Sequence, residues 1–398
     1  MDQYLSSKFI RVCLPLVLLS VVVNGKTRNG VVFNVKDFGA VANGLTNDTE
    51  AFDAAWKEAC AVKGNATLRI PEGTYMVGPI MFEGPCNGFM EVQLKGLLLA
   101  PTNLSVFYPE YSRNWIEFRH LNNLLVHGGG ILDGQGYSAW PSHHLLQLPY
   151  SLGFNKVING AIRGISLVNS KNLHMEIFAC QNFSVKSLTI SAPQHSPNTD
   201  GIHIGRSTNI TVKDTIIGDG DDCIAILQGS TSVIISNVMC GPGHGISVGS
   251  LGGRPREGDV VGLTVKNCTF TGTDNGLRIK TWQSSPSRSF VSDVLFQNIL
   301  MRNVSNPIII DQHYCPHGNC NPSTPSKVKI SRVQFDNIAG TYRNPVAVKL
   351  VCSEDYPCSD VGLGDIDLEY IGDSKPEPNS CVNVQGYSNG NVKPASCI

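Results

Sequence analysis

The sequence predicts an all-β chain wound as a parallel β-helix, with one short helix ahead of it, and three observations carry that prediction. Forty glycines, 16% charged residues and a scarcity of long helical patterns in 398 residues argue against a helical protein. A ridge of alternating apolar and polar residues recurs at Asn182–Ser187, Asn209–Asp214, Ser232–Asn237, Gly262–Asn267, Asp293–Asn298 and Arg332–Asn337, and all but the first end in Asp or Asn. The intervals of roughly 20 to 40 residues suit stacked coils. A sandwich or barrel would instead repeat its strands about every 8–12 residues through hairpin turns.

Taken in order, the elements begin with Lys8 and Arg11, an apolar run from Val12 to Val23, and Asn24-Gly25. This is the pattern of a secretory signal peptide removed after Gly25. The run is shorter than the roughly 20 residues of a spanning helix, so a secreted chain is expected, extracellular or in a cell wall. Residues 26–398 follow with no Pro/Ser-rich linker and read as one domain. Thr49–Cys60 reads as the helix, with Phe52, Ala55, Trp56 and Ala59 on one side. Each later ridge is a strand that cannot bury its apolar face alone. Stacked about 4.8 Å apart, the ridges can, with an Asn or Asp marking most turns.

Cys13 leaves with the signal peptide, and the twelve remaining cysteines suit a disulfide-bonded secreted chain. The close pairs Cys223/Cys240, Cys315/Cys320, Cys352/Cys358 and Cys381/Cys397 are natural candidates, with Cys60/Cys86 a further one and Cys180 and Cys268 as buried thiols. Zinc would need a tighter Cys/His cluster than Cys315–Cys320 supplies. Sequons at Asn47, Asn65, Asn103, Asn182, Asn209, Asn267 and Asn303 agree with passage through a glycosylating pathway. Removing residues 1–25 leaves 29 basic and 31 acidic residues, a net charge of −2. Nucleic acid needs an extended basic footprint and is excluded as a partner. An acidic ligand must be held by a local cationic cluster.

Four polar runs interrupt the ridges: Asn198-Thr199-Asp200, Asp221-Asp222-Cys223, Gly243-His244-Gly245 and Arg278-Ile279-Lys280. Asp221 lies 7 residues after Asp214 and His244 lies 7 after Asn237; Asp200 follows Ser187 by 13, and Arg278 and Lys280 follow Asn267 by 11 and 13. Stacked coils would bring these five positions to one flank of the solenoid. Three clustered acids supply a proton donor and a base, because like charges in proximity raise at least one pKa. Glycosidic cleavage by inversion uses both. Alone, an Asp-Asp pair is as readily a solvated turn; the other three runs in phase decide against that. Arg278 and Lys280, two apart on a strand, share a face and suit substrate carboxylates. Gly245–Gly249 matches the serine-hydrolase elbow G-x-S-x-G, but Ser250-Leu251-Gly252-Gly253 is no helix start, so Ser247 is not read as a nucleophile.

At Ser196–Gly201, Gly220–Cys223, Gly243–Gly245 and Arg278–Lys280, in that order and spacing, the chain closely resembles the polygalacturonases of glycoside hydrolase family 28. The resemblance runs from about Phe33 to the C-terminal cysteines, and Asn169–His174 with Ser196–Arg206 is most like the plant, pollen-type exopolygalacturonases. It implies a right-handed parallel β-helix and hydrolysis of α-1,4-linked galacturonate in pectin with inversion and without a metal or other cofactor. Carried over by motif, Asp221 would be the general acid, Asp200 and Asp222 the pair that activates water, and His244 the neighbour of the acid. Asn198, Arg278, Lys280 and Tyr314 would bind substrate, and Cys223/Cys240 would brace the catalytic coils. Polygalacturonate is the expected partner, with no membrane after signal removal, and the chain is expected to be a monomer. Asp219 adds a fourth nearby acid, and Leu227-Gln228 stand where a glycine is more usual. An endo-acting enzyme, a pectate lyase and a catalytically silent wall-binding protein are the alternatives.

Overall fold

A computed structural model describes residues 30–108, 113–144, 147–316, 318–321 and 323–398. The signal-peptide reading concerns residues outside this set. The ridges stack: Phe183, Ile210, Val233, Leu263, Val294, Val333 and Val361 follow one another in parallel register across successive coils. None is more than 2% exposed. Fully burying such a side chain contributes roughly 1.5–3 kcal/mol relative to exposure, so each coil is stabilised mainly by the coils above and below it.

The polar residue closing each ridge makes the corner. Ser187, Asp214, Asn237, Asn267, Asn298 and Asn337 all adopt left-handed backbone, with φ between 50° and 56°. Asn and Asp tolerate this region better than other residues with a Cβ. Beyond the corner the chain continues on a second face, where Ile217, Cys240, Phe270 and Met301 stack in register. Corner side chains bond along the stack. Asn337 Nδ2 donates to Asn298 Oδ1 at 2.8 Å and Asn298 Nδ2 to Asn267 Oδ1 at 3.1 Å.

A third face completes each coil. Its eleven parallel strands among the described residues run in chain order from Ile80–Glu83 to Ser380–Val382. The architecture is therefore a right-handed parallel β-helix, the hand that strand crossovers adopt almost without exception. Inward positions on this face form the stack Ile202, Ile224, Ile246, Leu277, Ile308 and Val348. Outward positions one residue on form the row Glu176, His203, Ala225, Ser247, Arg278, Ile309 and Lys349. That row is the floor on which the site is built.

The expected helix is present as Thr49–Ala61 and packs against the strands Val31–Asn34, Ala66–Ile70 and Ile80–Glu83. Its Trp56 ring lies 4.9 Å from Phe82, and Trp56 Nε1 donates to the Glu83 carbonyl at 3.1 Å. All five proposed cysteine pairs are bonded, and Cys180 and Cys268 are buried thiols. Among the described residues no helix is long and apolar enough to cross a membrane.

Candidate active site

Each sequence-predicted site residue except Tyr314 and the two cations lies on the loop that enters a strand of the third face. Asp200 precedes Ile202–Gly205, Asp221 and Asp222 precede Ile224–Ile226, and His244 precedes Ile246–Leu251. Arg278 and Lys280 lie within Asn275–Trp282, and Tyr314 ends Asn306–Tyr314. Backbone bonds hold these loops in phase. Gly201 N–H donates to Asp222 O at 3.0 Å, His244 N–H to Asp221 O at 2.6 Å, and Asp274 N–H to Gly243 O at 2.9 Å.

Asp222 is the hub. Its side chain is 2% exposed. Oδ1 accepts from Arg278 Nη2 at 2.7 Å and from Ser247 Oγ at 2.9 Å, while Oδ2 accepts from Lys280 Nζ at 2.7 Å. Burial alone would raise its pKa; Lys280 and then Arg278 outweigh burial and hold the carboxyl below its ordinary value. Lys280 is 7% exposed, with Nζ 5.5 Å from the Tyr314 ring centroid. The two cations thus converge on Asp222, and Arg278 also lines the open cleft beside His244, Asp274 and Asn275.

Asp221 is more open. Its Oδ1 accepts from the Asp222 backbone N–H at 2.8 Å and lies 3.0 Å from His244 Nδ1. That contact, followed against burial by the charges of Asp221, Asp222 and Asp274, raises the pKa of His244. Asp274 Oδ2 is 3.4 Å from His244 Nε2. The glycines flanking His244 have a steric reason. A Cβ on Gly245, at φ 87°, would lie 2.1 Å from Asn275 O, and one on Gly243 would lie 2.8 Å from both Asp219 Oδ1 and Asp221 O. Only glycine lets the histidine loop approach the coils on either side.

Asp200 meets His203, whose Nε2 lies 2.8 Å from Asp200 Oδ2. Burial raises the pKa of Asp200, His203 opposes that shift, and Asp221 and Asp222 add to it. Asp219 is wholly buried; its Oδ1 accepts from Asp221 N–H at 3.2 Å and its Oδ2 has no partner among the described residues. Burial, then the charge of Asp200, pushes the Asp219 carboxyl well above its ordinary value. Asn198 is an exposed left-handed turn residue, φ 53°, at the cluster's edge. The next residue, Thr199, is buried and locks the turn through Ser196 Oγ at 2.5 Å and Gly220 N–H at 3.0 Å.

The family comparison decides the class of this cluster: the sequence profile described as glycosyl hydrolases family 28 matches residues 60–397. The chain belongs to glycoside hydrolase family 28. It is 43% identical over 390 residues to a polygalacturonase of Nicotiana tabacum, covering 97% of each chain. It is 42% identical over 378 residues to an exopolygalacturonase of Platanus acerifolia, covering 93% of this chain and 99% of that one. The solved endo-xylogalacturonan hydrolase of Aspergillus tubingensis superposes with a TM-score of 0.79 at 23% identity, over 91% of this chain and 100% of that one; this likeness is of fold.

In this family 28 chain, sequence reasoning missed His203, Asp274 and the role of Ser247. Ser247, read only as a false elbow, is fully buried, donates to Asp222 and accepts from Arg278 Nε at 3.1 Å. Asp221, Asp222 and His244 each present an atom within 4.8 Å of the others, as metal ligands would. Both oxygens of Asp222 are already taken by cations, however. In this structure the donor set is engaged as an ion-pair network, with Arg278 and Lys280 neutralising Asp222.

Proposed function

We propose that this enzyme hydrolyses the α-1,4-galacturonosidic bonds of polygalacturonate with inversion, acting from chain ends after secretion as a monomer. The observation that supports it best is the contrast between two neighbouring carboxyls on one loop. Two cations hold Asp222 ionised, while among the described residues Asp221 is hydrogen-bonded only through Oδ1. A carboxyl bound by two cations is held as an acceptor, whereas a carboxyl with an oxygen left to face substrate suits the proton donor.

In this reading Asp221 gives its proton, carried on Oδ2, to the leaving glycosidic oxygen. Asp200 and Asp222 orient the water, and Asp200 takes its proton as the water oxygen attacks the anomeric carbon from the opposite face. His244 fixes the Asp221 carboxyl, and Arg278 supplies a cation where an acidic sugar would sit. Asn198 and Tyr314, at the rim, complete the substrate contacts. The named activities of the tobacco and plane-tree relatives agree. Incubating the purified enzyme with polygalacturonate tests the reading. The expected outcome is new reducing ends with no unsaturated sugar, together with a loss on the order of 10²-fold or more in Asp221→Asn. Unsaturated ends would establish a lyase, and a variant as fast as wild type would remove Asp221 as the acid.

A further inference from the structure

His203 occupies the outward row between Glu176 and Ala225, in register with both. Its side chain is 20% exposed and that of Asp200 13%, so their 2.8 Å contact is not a solvated surface pair. The acids of this site divide their partners unequally. Asp222 has Arg278, Lys280 and Ser247; Asp221 has His244 and a backbone amide. Asp200, on the adjacent coil, has His203 as its ion-pair partner.

We propose that His203 is a positioning residue for Asp200, fixing Oδ2 by a hydrogen bond from Nε2–H and balancing its charge, so that Asp200 is the base that takes the water proton. This rests on the hydrolytic reading above. A buried carboxyl facing other carboxyls takes up a proton unless a cation compensates it, and a protonated Asp200 cannot accept one. The groups around His203 are Asp200 before its own strand, Glu176 on the strand below, and Asp222 from the coil above. Asp200 in turn faces Asp221, Asp222 and, through the Asp219 and Tyr150 side chains, two further groups that disfavour its charge or whose ionisation it disfavours. Ala225, the outward neighbour on the next strand, carries no charge. Burial would lower the pKa of His203, but Asp200 and then Asp222 and Glu176 raise it, in keeping with an imidazolium. In the step, a water O–H bond breaks and its proton goes to Asp200. The water oxygen bonds to the anomeric carbon as the glycosidic bond breaks, and the leaving oxygen takes the proton of Asp221.

The test compares wild type, Asp200→Asn, His203→Gln and His203→Ala of the full mature chain on polygalacturonate. It follows kcat, KM, the pH profile of kcat/KM and the unfolding midpoint. His203→Gln keeps a donor but not the charge. It should lower kcat about tenfold or more, the low end of acid–base effects being larger still, with KM nearly unchanged. The acidic limb of kcat/KM should move to higher pH, because an uncompensated Asp200 is protonated earlier. An acidic limb left at its wild-type position in His203→Gln overturns the proposal, whatever the fate of kcat. Should His203→Ala fail to fold, His203→Gln decides alone. A folded wild type that does not hydrolyse polygalacturonate overturns the hydrolytic reading first and this assignment with it.

Discussion

Asp219 shows how one buried carboxyl leaves a signature in stability. Its pKa is raised well above the ordinary value by burial, so the folded chain holds this proton more tightly than the unfolded chain. Stability linked to Asp219 is therefore fully present below the unfolded value, about 3.9, and declines as pH rises through the folded one. Asp219→Asn replaces the neutral acid by a neutral amide of the same shape. Thermal unfolding should show the variant more stable than wild type near pH 7, with the gain closing as the pH approaches 4. A gain that persisted unchanged in acid would mean that Asp219 does not titrate. Asp222 is the opposite case, held ionised by Lys280 and Arg278 against the same burial. The two acids lie three positions apart, and of the two it is Asp222 that meets Arg278 and Lys280 of the strand Asn275–Trp282.

The corner explains why so much of the architecture was legible. An Asn or Asp at the end of a ridge is a local property of the sequence, and its left-handed φ is a local property of the fold. Asn237 tests the connection, being exposed and seven residues ahead of His244. Asn237→Gly should be nearly neutral, whereas Asn237→Val should lose about 1–3 kcal/mol, the cost of a strained left-handed residue. It also forfeits the 3.0 Å bond from Asn237 Nδ2 to Asp214 Oδ1. Urea unfolding measures both, and equal stabilities would deny the corner its conformational role. The bond between Cys223 and Cys240 was equally legible from proximity. By the chain-entropy estimate, closing a loop of this size contributes about 3 kcal/mol, next to Asp222. What stayed hidden depends on register between coils. Ser247 and Arg278 are cross-strand neighbours 31 residues apart. Nothing in either local sequence says that both meet Asp222, or that Lys280 is largely spent on that same carboxyl. His203 lay in plain view three residues after Asp200. It was missed because an outward strand histidine has no motif of its own until the loop ahead of it is placed.

Across the whole solenoid, the outward row gives the cleft a direction, and with it the mode of attack becomes a question of which end stays open. Toward the C-terminal coils the lining passes from His244, Asp274 and Arg278 to Asn306 and Asn344, then to Pro345 and Lys349. The amides are chained, Asn344 Nδ2 donating to Asn306 Oδ1 at 2.8 Å, and they offer sugar hydroxyls fixed donors and acceptors. Toward the N-terminal coils the same row carries His203, Glu176, Gly153 and Glu117. Glu117 is buried against Arg119, and burial first of all raises the pKa of Glu176. A polyanion therefore meets a chained pair of amides and Lys349, beside Asp274 and Glu377, on one side of the catalytic acids, and Glu176 beyond His203 on the other. The amide pair offers sugar contacts toward the C-terminal coils, and a substrate that extends that way and stops at Glu176 would bind by its chain end. On polygalacturonate, monomer should accumulate from the earliest times while viscosity falls slowly. Glu176→Gln should shift the profile toward short oligomers if that carboxyl helps exclude the polymer. Early mixed oligomers with a rapid viscosity drop in wild type would establish an endo-acting enzyme, since the three acids serve either mode and only the occupancy beyond them differs.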